Sequence, residues 1–407
     1  MKSIKPNSKE LVKLYNRGID LKKSVRDKVS NIIEGVQAHG DEALVRYTKQ
    51  FDDIKIKPRQ LKVTTGEVNG AYQNMDPNLV NSFKVAIENV AQFYKKQLKK
   101  SWKIKDKEGI MLGERITPLE SVGIYIPAGT APLASTVYMT VLPAKIAGVK
   151  RIVIVTPPNE YGNVHPYILV MANLLGITEI YKVGGAQAVA ALAFGTKSIP
   201  RVDKIVGPGN QYVSEAKRQV FGYVGIDMVA GPSEVVIVAD DSVNCEFVAA
   251  DMAAQCEHLM GLSILITKSK RLVKFMQQQQ PLKGYLILVK SLKEAAEIAN
   301  KIAPEHLQLM VKDSKKLSKM IQNAGCILLG EYTPTALSDY IAGPSHVLPT
   351  GGSARFFSGL SIWDFLKGIH VVSYSKRALE SVKDDIERIA SLEGLNKHID
   401  SIKKRFE

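Results

Sequence analysis

Cysteine is scarce: three in 407 residues, at Cys245, Cys256 and Cys326. The count is odd and no two have C-x-x-C spacing, so neither a disulfide framework nor a thiolate zinc site is expected. Reduced thiols in a cytoplasmic protein fit this pattern. No apolar run approaches the roughly 18 residues that span a bilayer. The N-terminus, "MKSIKPNSKELVKLYNRG", lacks an apolar core segment and does not read as a signal peptide. Low-complexity sequence is confined to "QQQQ" at 277–280, read as a helix end before Pro281. No complete G-x-G-x-x-G occurs in the strand-to-helix turns.

What is present is ordinary for a globular chain: 45% apolar and 23% charged residues. The formal charge of +15 raises the question of a nucleic-acid or membrane surface. Its densest stretch, "KKQLKKSWKIKDK" (95–107), encloses Trp102 and could be a nucleic-acid patch; a lysine-rich solvated helix and loop explains it equally. The remaining charge is dispersed, so neither partner is expected.

The first part reads as helical. Val25, Val29, Ile32 and Val36 keep helical spacing, Gly40 stops that helix, and Asp41 is placed to cap the next. From about residue 121, β-branched runs alternate with helical segments. Nine strands are expected: 123–127, 151–157, 179–185, 204–208, 234–240, 263–267, 285–289, 307–311 and 326–330. This alternation predicts an α/β protein with parallel sheets covered on both faces, and nine strands suggest two sheets. The tail after Arg355 reads as mainly helical. Open parallel sheets bind ligands beyond the carboxyl ends of their strands. "YIPAGTAPLAST", "VGGAQA" and "VGPGNQYV" each follow a strand and open a helix there. Tight turns alone explain each; three in succession point to a nucleotide or phosphorylated ligand.

The chain has seven histidines. His39 and His165 read as structural, and His370 has no evident role. Four others stand near carboxylates. His258 lies in "AAQCEHLMG", three residues after Gln255, so on a helix the two share a face; Cys256 between them would point away and pack. His306 follows Glu305, His346 follows Asp339 by seven, and His398 follows Glu393 by five. Gln255, His258, Asp339 and His398 would make a mixed N/O set that suits Zn²⁺ with room for a substrate; singly, each reads equally as a helix-end or loop residue. Glu305–His306 is a candidate acid–base pair. Neighbours on a strand point to opposite faces, so both reach one substrate only at the strand's edge, as Pro304 suggests.

Together these segments resemble the histidinol dehydrogenase family, from "VRDKVSNIIEGVQAHGDEALVRYTKQFD" to "LEGLNKHIDSIKKR". The most specific stretches are "GPGNQYVSEAKRQVFGYVGIDMVAGPSEV" and "DYIAGPSHVLPTGGSARFFSGLS". The resemblance implies two Rossmann-like parallel-sheet domains with small helical terminal extensions: one from 20–124 plus 233–360, a second inserted at 125–232, an N-terminal extension at 1–19 and a tail at 361–407. It implies oxidation of L-histidinol to L-histidine in two NAD-dependent steps through an aldehyde, the last step of histidine biosynthesis. One zinc ion per subunit would be held by Gln255, His258, Asp339 and His398, residues that also border the substrate. Glu305 would activate water and His306 would act as acid and base in both steps. Ser233, His346 and Glu393 would contact substrate, and Tyr125, Gln187 and Asn210 would contact NAD. It further implies an intertwined homodimer in which the tail completes the partner's site. The alternative is a related zinc- and NAD-dependent dehydrogenase for another small alcohol, such as a sulfonated diol; Glu393 suits an amine and would repel a sulfonate. A catalytically dead scaffold would predict losses among these residues, and none is seen. Three positions depart from the family's usual pattern: Ala128 for Gly, "EHLMGLSILIT" for "EHGxDSQ", and Ser345 for Asn.

Overall fold

The computed structural model describes residues 1–18, 22–73, 75–128, 131–258, 260–279 and 283–407. The expected boundary at 19–20, the centre of the turn at 129–130, Leu259 of the departing run and the Gln280–Pro281 stop lie outside them. The described residues contain fourteen strands: β1 (Lys2–Ile4), β2 (Trp102–Lys105), β3 (Met111–Pro118), β4 (Ser121–Tyr125), β5 (Arg151–Thr156), β6 (Glu179–Lys182), β7 (Lys204–Val206), β8 (Gly225–Ile226), β9 (Glu234–Ala239), β10 (Leu262–Thr267), β11 (Tyr285–Leu288), β12 (His306–Met310), β13 (Cys326–Leu329) and β14 (Leu366–Ser373). All nine expected strands are among them.

The chain divides into two units, Met1–Gln97 with Leu119–Phe365, and Leu98–Pro118 with Leu366–Glu407. The first holds two parallel sheets. One runs β6-β5-β4-β7-β8; the other runs β1-β11-β10-β9-β12-β13. Every residue of β4 and β9 is buried, as continuous apolar strands require when helices cover both faces. In each sheet the chain adds strands outward on one side and then crosses to the other. Such reversals, here at β4/β7 and β9/β12, open crevices at strand ends.

The helix Lys23–Asp52 covers the β4-containing sheet. Its Val25, Val29, Ile32 and Val36 are buried with Val153, Val189 and Val213, as the helical spacing predicts. Gly40 breaks it in the left-handed region (φ 51°, ψ −126°). Asp41, however, accepts hydrogen bonds from the Ser198 N–H and hydroxyl (3.2 and 2.7 Å) rather than capping a helix.

The second unit corrects two expectations. The lysine-rich stretch at 95–107 is not simply helix and loop, because its distal part is β2. The tail after Arg355 is mainly helical, as expected, but between the short 3-10 helix Ile362–Phe365 and its three α-helices it contributes the strand β14. β14 and β2 flank β3 in an antiparallel sheet, order β14-β3-β2. The alternation in "WKIK" is the sequence's one signal of β2. Trp102 and Ile104 are exposed, so no buried face reinforced it. Among the described residues no helix is long and apolar enough to cross a membrane.

Candidate active site

At the β4/β7 crevice two turns meet. Tyr125 ends β4, and its hydroxyl accepts the Gly185 N–H (3.0 Å) at the start of the helix Gly185–Phe194. Gly207 follows β7 at φ +115°, and a Cβ there would fall 2.3 Å from the Tyr125 carbonyl oxygen. No other residue fits this left-handed, crowded position. An internal ion pair secures the turn. Lys217, buried in the helix Gln211–Val220, pairs with Asp227 and donates to the Gly207 carbonyl (3.0 Å). Asp227 accepts the N–H groups of Gly207 (2.8 Å) and Met228 (2.6 Å). Asn210 caps the same helix, accepting from the Tyr212 and Val213 N–H groups (3.0 and 3.2 Å).

These turns line a cavity of about 520 Å³ that gathers Tyr125, Gln187 and Asn210 with Ala128. Burial pushes the Tyr125 phenol up to about 12. Gln187 is 1% exposed and its Oε1 has no hydrogen-bond partner. The cavity is also lined by Lys28, Phe51 and Asp52 from the helix Lys23–Asp52, none of which the sequence singled out. "FDD" reads as a solvated helix end, and only the packing of that helix brings it here.

A second cavity, about 200 Å³, is lined by Ser233, His258, Glu305, His306, Asp339 and His346, with Thr136 and Pro208. It lies at the amino ends of β9, β10 and β12, not the carboxyl ends the parallel-sheet rule favours. The carboxyl-end turn at Pro208 supplies another side. Glu305 immediately precedes β12, so it and His306, the strand's first residue, both reach the cavity, as Pro304 suggested. Glu305 Oε2 accepts from the Ser233 hydroxyl and the Glu234 N–H, each at 2.7 Å, and stands 3.8 Å from His306 Nδ1. Burial outweighs those donors and pushes the Glu305 carboxyl up to about 7. Burial alone would lower the His306 imidazole, but Asp339 and Glu305 carry it above its usual value.

His346 behaves differently. Burial lowers its pKa. Its Nδ1–H donates to the Asp339 carbonyl (2.9 Å), and its Nε2 accepts from the Thr136 hydroxyl (3.1 Å). It is a neutral imidazole with a defined tautomer that anchors the backbone carrying Asp339.

The four expected metal ligands divide between the units. His306 Nε2 and Asp339 Oδ1 are 3.2 Å apart, yet the geometry is not that of a hydrogen bond and both atoms are buried without one. Gln255, 3% exposed, ends the helix Cys245–Gln255 with its Nε2 unpartnered. His258 lies beyond the helix end, so it does not share a helical face with Gln255. A turn brings it back instead, through His258 N–H to the Gln255 carbonyl (3.3 Å) and Gly261 N–H to the His258 carbonyl (2.9 Å). A Cβ at Gly261 would meet the Gln255 carbonyl at 2.5 Å. Cys256, expected to pack, is the helix C-cap and is exposed. Glu393 and His398 are exposed on the second unit, at the end of the helix Lys383–Leu392 and on the helix Asn396–Lys403.

Among the described residues, no group of three His, Cys, Asp or Glu side chains is spaced to hold a metal by itself. The donor chemistry nevertheless fits a borderline cation. A buried carboxylate oxygen without a donor stands in one cavity with an imidazole, and a neighbouring buried amide has an unsatisfied end whose N/O identity no hydrogen bond fixes. Of the departures, Ala128 lines the larger cavity. Ser345 is buried and accepts the Val347 N–H (3.1 Å). In the remaining run, Met260 takes φ +88°, a strained conformation for a non-glycine residue.

A family model described as "Histidinol dehydrogenase" matches residues 16–406. "Histidinol dehydrogenase" of Caldanaerobacter subterraneus subsp. tengcongensis is 48% identical, covering 97% of this chain and 95% of its own. That of Clostridium acetobutylicum is 45% identical, covering 93% and 91%. The crystal structure of histidinol dehydrogenase from Elizabethkingia anophelis superposes with a TM-score of 0.93 at 35% identity, over 100% of this chain and 98% of that one.

Proposed function

The chain belongs to the histidinol dehydrogenase family, and on that premise we propose that it oxidises L-histidinol to L-histidine with NAD as hydride acceptor and a bound zinc ion. The observation that carries this reading is the buried Glu305–His306 pair facing Asp339, His258 and His346 in one small cavity.

Gln255, His258 and Asp339, with His398, would hold the zinc. When bound, it supplies a fixed positive charge that orients the amino alcohol and its imidazole, while NAD takes the hydride. His306 accepts the proton of the substrate hydroxyl as the alcohol becomes an aldehyde. Its raised pKa makes it a competent base that can return the proton later. In the second oxidation the aldehyde needs water, and Glu305 takes the proton of the attacking water. A carboxyl near 7 both accepts and releases a proton at neutral pH. Ser233 and the Glu234 N–H hold its Oε2 in place. Glu393 would pair with the substrate's ammonium. Tyr125, Gln187 and Asn210 would contact NAD in the larger cavity. In this reading, Glu393 and His398 reach the site from the partner of a homodimer.

The test is NADH formation from L-histidinol by the purified protein. Two equivalents per substrate, lost on chelation and restored by zinc, are expected. No NADH with L-histidinol, but turnover of another small alcohol, would overturn the substrate assignment.

A further inference from the structure

The larger cavity contains an acceptor with nothing to accept. Asp52 Oδ2 is buried and has no hydrogen-bond partner, although Asp52 lines a space of about 520 Å³. Its carboxylate stands close enough to Tyr125 to help raise that phenol. A buried carboxylate oxygen left unpaired is costly, so such an atom in a cavity marks where a ligand's donors belong. Burial pushes the Asp52 carboxyl up to about 6, and it remains mainly ionised at neutral pH. Lys28, also on the wall, holds its ammonium 5.8 Å from the centre of the Tyr212 ring.

A dinucleotide brings four donor groups: two ribose diols, the adenine amine and the nicotinamide carboxamide. The nicotinamide end must approach the substrate, and hence the smaller cavity of His306 and Pro208; Asp52 does not line that cavity. Of the donors at the distal end, a vicinal diol offers a carboxylate two hydroxyls at once, whereas the adenine amine is a single weaker donor. We propose that Asp52 accepts the hydroxyls of the adenosine ribose and so makes the cavity select NAD over its 2′-phosphorylated form, NADP. A 2′-phosphate would remove one donor and place a dianion against the carboxylate. The inference rests on the dinucleotide reading above; Asp52 is distant from the glycine turns in sequence but shares their cavity.

The test is equilibrium binding by calorimetry, without alcohol substrate. For the unaltered protein, 2′-deoxy-ADP-ribose is expected to bind on the order of ten- to a hundredfold more weakly than ADP-ribose, the loss of a charge-assisted hydrogen bond. NADP is expected to bind at least tenfold more weakly than NAD. Asp52→Asn is expected to weaken NAD while leaving NADP unweakened, so that the preference collapses. Equal binding of ADP-ribose and its 2′-deoxy form would overturn the inference, and this arm does not depend on a variant folding. So would a hypoxanthine analogue that loses the affinity instead, or an Asp52→Asn protein with unchanged preference; in these cases NAD binding itself still stands. An unaltered protein that binds neither NAD nor ADP-ribose would overturn both this inference and the function proposed above.

Discussion

Replacing Lys217 with Met tests whether the Gly207 turn is held by a buried ion pair or merely by its glycine. The Lys217 and Asp227 side chains are 2% and 0% exposed. Removing one member of such a pair typically costs 3–5 kcal/mol because the other charge is stranded. Here the stranded carboxylate keeps two backbone donors, Gly207 N–H at 2.8 Å and Met228 N–H at 2.6 Å. The loss therefore belongs at the low end, about 3 kcal/mol. For a unit of this size, Met1–Gln97 with Leu119–Phe365, an unfolding entropy of about 2.1 cal/mol/K per residue gives about 1.4 °C per kcal/mol, so the melting midpoint will fall by roughly 4 °C. The assay is thermal unfolding followed by circular dichroism, in the absence of ligands. Adding Asp227→Asn removes the stranded charge and will recover part of the loss, about 1–2 kcal/mol. A drop below about 2 °C for Lys217→Met, or a further fall in the double variant, would refute this reasoning.

Four further outcomes are expected. Glu305→Gln will impair aldehyde oxidation more than alcohol oxidation, measured by supplying each substrate separately; equal loss would contradict the water-activating role. The same variant changes the pH dependence of stability. The Glu305 carboxyl rises from an ordinary 4.5 to about 7, so the folded protein retains a proton that the unfolded chain releases. That contribution is full below 4.5 and is lost as pH rises to 7. Relative to wild type, the variant will therefore gain on the order of 1–3 kcal/mol between about pH 5 and pH 8 in urea unfolding; a gain in the opposite direction would refute the assignment. His258→Ala or Asp339→Ala will lose bound zinc by elemental analysis of the purified protein, whereas a metal-replete, active variant would remove that residue from the ligand set. Gly207→Ala will lower both the melting midpoint and dinucleotide affinity, since its Cβ meets the Tyr125 carbonyl oxygen at 2.3 Å; wild-type values for both would show that the turn adjusts freely.

The parallel sheets were legible because burial on both faces leaves uninterrupted β-branched runs, and all nine of those became strands. Glu305 and His306 were legible as a pair because Pro304 marks a strand edge. The antiparallel sheet was not, since its strands are largely solvated and carry weak alternation. The position of Glu305 and His306 at the amino ends of β9 and β12 was also hidden. It depends on which end of one sheet meets the turns of another, and no local pattern encodes that. Asp52 illustrates the same limit: a carboxylate at the end of an exposed-looking helix enters a cavity only through tertiary packing.

One short turn, 207–210, has a consequence for how ligands are taken up. Pro208 borders the smaller cavity and Asn210 the larger. The two spaces therefore share one wall, fixed by the Lys217–Asp227 pair and the Asn210 cap. On the proposed function, the alcohol and the dinucleotide would share this turn, and whatever either does to the other's affinity is returned by the same factor.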